Sequence, residues 1–132
     1  MSILVGDVET KAAHTQVQQA AEAAWAKNAA DLVAIDVSSR LPLTDAFLLA
    51  SGSSERNVLA IADAIDERLS AEGVPLKRRE GRGQGRWELL DFGDVVVHVF
   101  HQEDRAYYGL ERLWRDCPPI ALPERAGEAE AS

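Results

Sequence analysis

The sequence predicts a single α/β domain: a mixed five-stranded sheet flanked by helices, in the order α-β-β-α-β-β-β-α. Three observations carry this. Residues 55–72 hold apolar side chains at helical spacing, with strand-like runs on either side. The runs Asp31-Leu-Val-Ala-Ile-Asp-Val37 and Ala46-Phe-Leu-Leu-Ala50 are short, apolar and bounded by turn residues. Between Trp87 and Phe100, two apolar segments flank the turn Asp91-Phe-Gly-Asp94, the signature of a hairpin.

Taken in order, residues from about Thr10 to Asn28 are alanine-rich and free of Gly and Pro, which favours a helix. Val17, Ala21, Ala24 and Trp25 share one face of it. Strands follow at 31–37 and 46–50, separated by a loop containing Pro42. In the helix at 55–72, Val58, Ile61, Ala62, Ile65 and Leu69 form the inner stripe, while Asp63, Asp66, Glu67 and Arg68 face water. Ser53 or Ser54 suits its N-cap and Gly73 its C-terminal stop. Residues 74–80 are a third strand, and 87–90 with 95–100 are the hairpin. The helix between the second and third strands should make a parallel crossover, and the last three strands an antiparallel meander. In the fifth strand both alternating sets, Val95/Val97/Val99 and Val96/His98/Phe100, are largely apolar, so both faces of the sheet should be covered by helices or a partner. A final helix spans about 103–115 and stops before Pro118-Pro119. Its Tyr107, Leu110 and Trp114 share one side and read as core.

The 132 residues suit one domain, 1–119, with a flexible acidic tail at 120–132 rich in Ala and Glu. A net charge of −8 opposes binding to bare nucleic acid or anionic membrane and favours a basic partner. The exception is Lys77–Arg86, where Lys77, Arg78, Arg79, Arg82 and Arg86 surround one acid, Glu80. Such a cluster suits a solvated loop or, as the less common case, an RNA contact. Cys117 is the only cysteine, so no internal disulfide forms. With no secretory start and no run of about 18 apolar residues, a cytoplasmic location away from membranes is expected.

Enzymatic readings are weak. Ser51-Gly-Ser-Ser54 on a strand-to-helix turn resembles a hydrolase nucleophile or the phosphate-holding turn of nucleotidyltransferases. The first lacks a placed general base. The second lacks metal-binding carboxylates on an adjacent strand, so helix capping is the preferred role. Gly81-Arg-Gly-Gln-Gly85 precedes a strand and cannot cradle a dinucleotide. Asp91-Phe-Gly93 is hairpin punctuation. His98 and His101 stand three apart on a strand, so their imidazoles point to opposite faces and no metal site is expected. Trp87, between Arg86 and Glu88, is either a core residue or an exposed anchor for another protein, and composition leaves the two open.

Taken together, these motifs resemble the Iojap family of ribosomal silencing factors. The resemblance covers roughly residues 13–117 and rests on Asp36-Val-Ser38, Thr44-Asp45, Ser51-Gly-Ser-Ser54, Arg56 and Ile61-Ala-Asp63. It continues through Glu80-Gly81, Trp87, Leu90-Asp91, Gly93-Asp-Val-Val-Val-His98, Arg105 and Tyr108-Gly-Leu-Glu-Arg-Leu-Trp114. The resemblance implies a nucleotidyltransferase-like fold and a translation repressor without catalytic activity, cofactor or metal. Such a factor binds the large ribosomal subunit at its intersubunit face, chiefly through the large-subunit ribosomal protein numbered fourteen. There it blocks joining of the small subunit during starvation or stationary phase. The resemblance also implies a homodimer, an exposed Trp87, and partner contacts from Glu80, Asp94 and His98. The loop at 82–86 is more basic and glycine-rich than the family pattern, so Arg78, Arg79, Arg82 and Arg86 are carried as a possible secondary contact with ribosomal RNA. The alternative is a nucleotide-binding enzyme of nucleotidyltransferase type.

Overall fold

The computed structural model describes residues 3–81, 85–104 and 106–124, those at 3–11, 106–108 and 111 as backbone alone. Helix α1 (Ile3–Ala26) starts earlier than expected, running through Gly6. Its Val17, Ala20, Ala21 and Ala24 are fully buried, and these small side chains let the helix lie close against its neighbours. Asn28 ends it with φ +61, a left-handed conformation that asparagine tolerates. Helix α2 (Glu55–Ala71) has the expected caps. Ser54 Oγ accepts the Asn57 N–H at 3.0 Å, and Gly73 follows at φ +84. Its buried stripe is Val58, Ile61, Ala62, Ile65 and Leu69.

The strands are β1 (Asp31–Asp36), β2 (Ala46–Gly52), β3 (Arg78–Glu80), β4 (Trp87–Asp91) and β5 (Val95–His101), followed by helix α3 (Ala106–Leu113). They form one sheet in the order β1-β2-β5-β4-β3. Strand β2 pairs β5 in parallel, and the other three pairings are antiparallel. The meander β3-β4-β5 is therefore present. The connection through α2 does join parallel strands, but β5 and β4 lie between them. The central pair β2 and β5 is apolar on both sides, as strands in the middle of a sheet must be.

Helices α1 and α2 cover one face, packing on Leu48, Ala50, Leu90, Val95, Val97 and Val99. The opposite face carries Ile35, Phe47, Leu49 and Phe100, with Leu110 and Trp114 of the α3 region packed on it. Leu110 and Trp114 thus have the core role expected of them; the Tyr107 side chain lies outside the described residues. Phe47 meets Trp114 edge-on at 5.2 Å on one side and His98 at 5.3 Å on the other. Arg40 lies 4.4 Å over the Trp114 ring.

The chain past Pro119 departs from the expected flexible tail. Asp36 N–H donates to the Pro118 carbonyl and Ile120 N–H to that of Ala34, so residues 118–120 run along the outer edge of β1. Ile120 is buried, Leu122 packs on the core, and the Trp25 indole donates to the Pro123 carbonyl at 3.0 Å. This strap satisfies backbone groups that an edge strand would otherwise leave open. Cys117 is likewise buried in the second cluster. Residues 125–132 lie outside the described residues.

Candidate partner-docking face

Alternation along β4 decides which way its side chains point. Glu88 and Leu90 turn toward α2 and are buried, while Trp87, Leu89 and Asp91 turn to the opposite face. Glu88 therefore does not flank Trp87 as a solvent-facing charge. It is fully buried, with Oε1 held by the Arg79 guanidinium at 3.2–3.3 Å, and Arg79 Nη1 reaches Asp63 at 2.8 Å. Burial pushes the Glu88 carboxyl above the usual range, and Arg79 opposes this only in part. The expectation that Arg79 faces RNA is thereby corrected: on β3 it points inward, and its charge is spent on two carboxylates.

Trp87 stays 41% exposed, enough to present one face of the indole to a partner. Its ring lies 5.0 Å from Phe100, its direct cross-strand neighbour, at an angle of 33°. The indole Nε1–H donates to His98 Nδ1 at 3.2 Å. His98 is 6% exposed, wedged between Phe47, Phe100 and Trp87. Burial lowers its pKa to about 4, so the ring is neutral near pH 7 and free to accept. His101 turns the other way, and its Nδ1 accepts the Glu103 N–H at 3.1 Å.

A groove of about 290 Å³ opens beside the indole, lined by Glu80, Gly81, Trp87 and Leu89. Glu80 is exposed at its rim, in a loose pair with Arg78 at 3.5 Å. Gly81 is in the left-handed region at φ +90 with its Cβ position filled by the Trp87 carbonyl, so only glycine fits there. Half-buried Leu89 and Val96 extend the apolar surface. Val96 belongs to the face expected to be covered by a helix or a partner; Leu89 was not singled out from sequence, although period-two alternation from Trp87 reaches it directly.

Of the four residues singled out from sequence, the structure brings together Trp87, His98 and Glu80. Asp94 stands apart. It is exposed in the β4–β5 turn, six residues from Phe100, or roughly 20 Å at strand rise. Its carbonyl accepts the N–H groups of Asp45 and Ala46, a structural role in addition to any other. Among the basic residues, Arg78 and Arg86 are exposed and Arg82 lies outside the described residues.

The serine turn is occupied by structural hydrogen bonds. Ser51 is buried and donates to Asp31 at 3.0 Å, and Ser54 caps α2. Asp63 pairs with Arg79, and Asp66 accepts from Ser70. Among the described residues no three His, Cys, Asp or Glu side chains gather to hold a metal ion. Nor, among them, is any helix long and apolar enough to cross a membrane.

A family model described as "Ribosomal silencing factor during starvation" (RsfS) matches residues 10–132. The chain belongs to that family. It is 44% identical over 106 residues to the ribosomal silencing factor RsfS of Halalkalibacterium halodurans, covering 80% of this chain and 91% of the relative. The crystal structure of a Chromobacterium violaceum protein, 34% identical, superimposes with a TM-score of 0.73 over 85% of this chain and 90% of that one. A mouse protein named "Mitochondrial assembly of ribosomal large subunit protein 1" is 33% identical over 91 residues, 67% of this chain and 40% of its own. RsfS membership accounts for the motif series and makes ribosome silencing the role of this domain.

Proposed function

We propose that this chain silences translation by seating its Trp87 face on the large ribosomal subunit, where it sterically prevents the small subunit from joining. One observation carries the reading. A large aromatic ring is held half-exposed over an apolar sheet face by Phe100 and His98, beside a groove with an acidic rim. Interfaces take much of their energy from such anchors, often more than about 2 kcal/mol each. The partner is the large-subunit ribosomal protein numbered fourteen. A net charge of −8 draws the chain to a basic protein surface and repels it from exposed RNA. Glu80 supplies acceptors at the groove, and His98 acts from beneath the indole. Asp94, at the far end of the hairpin, is a peripheral contact. Any contribution from ribosomal RNA contacts falls to Arg78, Arg82 and Arg86, since Arg79 is engaged inside. The chain works in the cytoplasm as a homodimer, without catalysis.

Sedimentation of separated subunits tests this. Saturating protein should lower the yield of whole ribosomes, and the Trp87→Ala variant should restore it. An undiminished yield with the parent protein would remove the proposal.

A further inference from the structure

We infer that His98 is a positioning residue for docking: its Nδ1 takes the indole N–H of Trp87 and presets the ring before a partner arrives. This rests on the docking reading above. The bond does not follow from strand pairing, since Trp87 stands opposite Phe100 while His98 stands opposite Leu89. The indole instead leans to its diagonal neighbour, within reach of a long aromatic side chain.

The protonation pattern gives the reason for a histidine. An indole N–H only donates, so Nδ1 must be the acceptor and the ring proton sits on Nε2. That Nε2 is buried without a hydrogen-bond partner among the described residues. A leucine or phenylalanine at this position would fill the space between Phe47 and Phe100 without leaving a buried donor unpaired. What imidazole supplies and they do not is the acceptor facing Trp87. A ring held in one orientation before association avoids ordering it during association, which raises affinity without a new contact.

The test uses the full chain and purified large ribosomal subunits. His98→Leu removes the acceptor and should weaken binding roughly tenfold, the size of one buried hydrogen bond with its orienting effect. His98→Asn places an oxygen where Nδ1 stood and should bind within about threefold of the parent. In a Trp87→Phe background, which has no N–H to hold, His98→Leu should add less than about a twofold loss. The Trp87 indole N–H should exchange with solvent slowly in the parent and the Asn variant and quickly in the Leu variant. Parent-like binding by His98→Leu, or an equal loss in the Phe background, would overturn the assignment. The exchange measurement needs no ribosome, so it separates failure of this assignment from failure of the docking reading, which Trp87→Ala reports alone.

Discussion

Lowering the pH from 7 to 5 should destabilise this protein more than it destabilises a His98→Asn variant. Burial depresses the His98 pKa from 6.5 to about 4. Between those values the unfolded chain binds a proton that the folded chain refuses, so acid pulls the equilibrium toward unfolding. The contribution is complete above pH 6.5, falls through the window, and levels off below about 4. At about 1.4 kcal/mol per pH unit the whole window corresponds to roughly 3 kcal/mol, of which about 2 kcal/mol is lost between pH 7 and pH 5. Urea unfolding followed by far-ultraviolet circular dichroism measures it, and comparison with His98→Asn cancels the other titrating groups. An equal loss in both proteins over this range would refute the claim that His98 is buried neutral beneath Trp87.

Two further predictions concern the supports of the docking face. Arg79→Ala should destabilise by on the order of 3 kcal/mol at pH 7 because it leaves Glu88 buried and unpaired. The difference from the parent should shrink as the pH falls and Glu88 takes up a proton, and adding Glu88→Gln should recover part of it; a difference from the parent that stays constant with pH would contradict this. Gly85→Ala should cost more than about 1 kcal/mol in thermal unfolding. Gly85 sits at φ +68, and its Cβ would lie 2.6 Å from the Glu55 backbone oxygen; an unchanged melting temperature would show that this approach is not maintained.

Local signals in the sequence carried most of the elements. The apolar runs at β2 and β5, the helical stripe of α2 and the caps at Ser54 and Gly73 each follow from periodicity or terminus chemistry over a few residues. What stayed hidden is non-local. Nothing in the sequence of β2 says that its parallel partner is β5, fetched from 49 residues further on between Ala46 and Val95. Arg79 reads as part of a solvated loop or an RNA contact and Glu88 only as a charged neighbour of Trp87, because sequence shows their polarity but not the partner each meets inside. Residues 120–124 belong to the stretch that looks frayed on composition, yet Ile120 bonds along the edge of β1, Leu122 packs on the core and the Pro123 carbonyl accepts from Trp25 on α1. At the candidate site the exposure of Trp87 was open on composition. The bond from its indole to His98 was not legible, since the two are diagonal neighbours on adjacent strands and even the register pairs each with another residue.

The most direct test of the account is the affinity of Trp87→Ala for purified large ribosomal subunits, measured beside the parent and with folding checked by urea unfolding. The half-exposed indole as central anchor predicts a loss of about thirtyfold or more, the equivalent of about 2 kcal/mol, in a variant that still unfolds cooperatively. A folded Trp87→Ala protein that binds as tightly as the parent would contradict it.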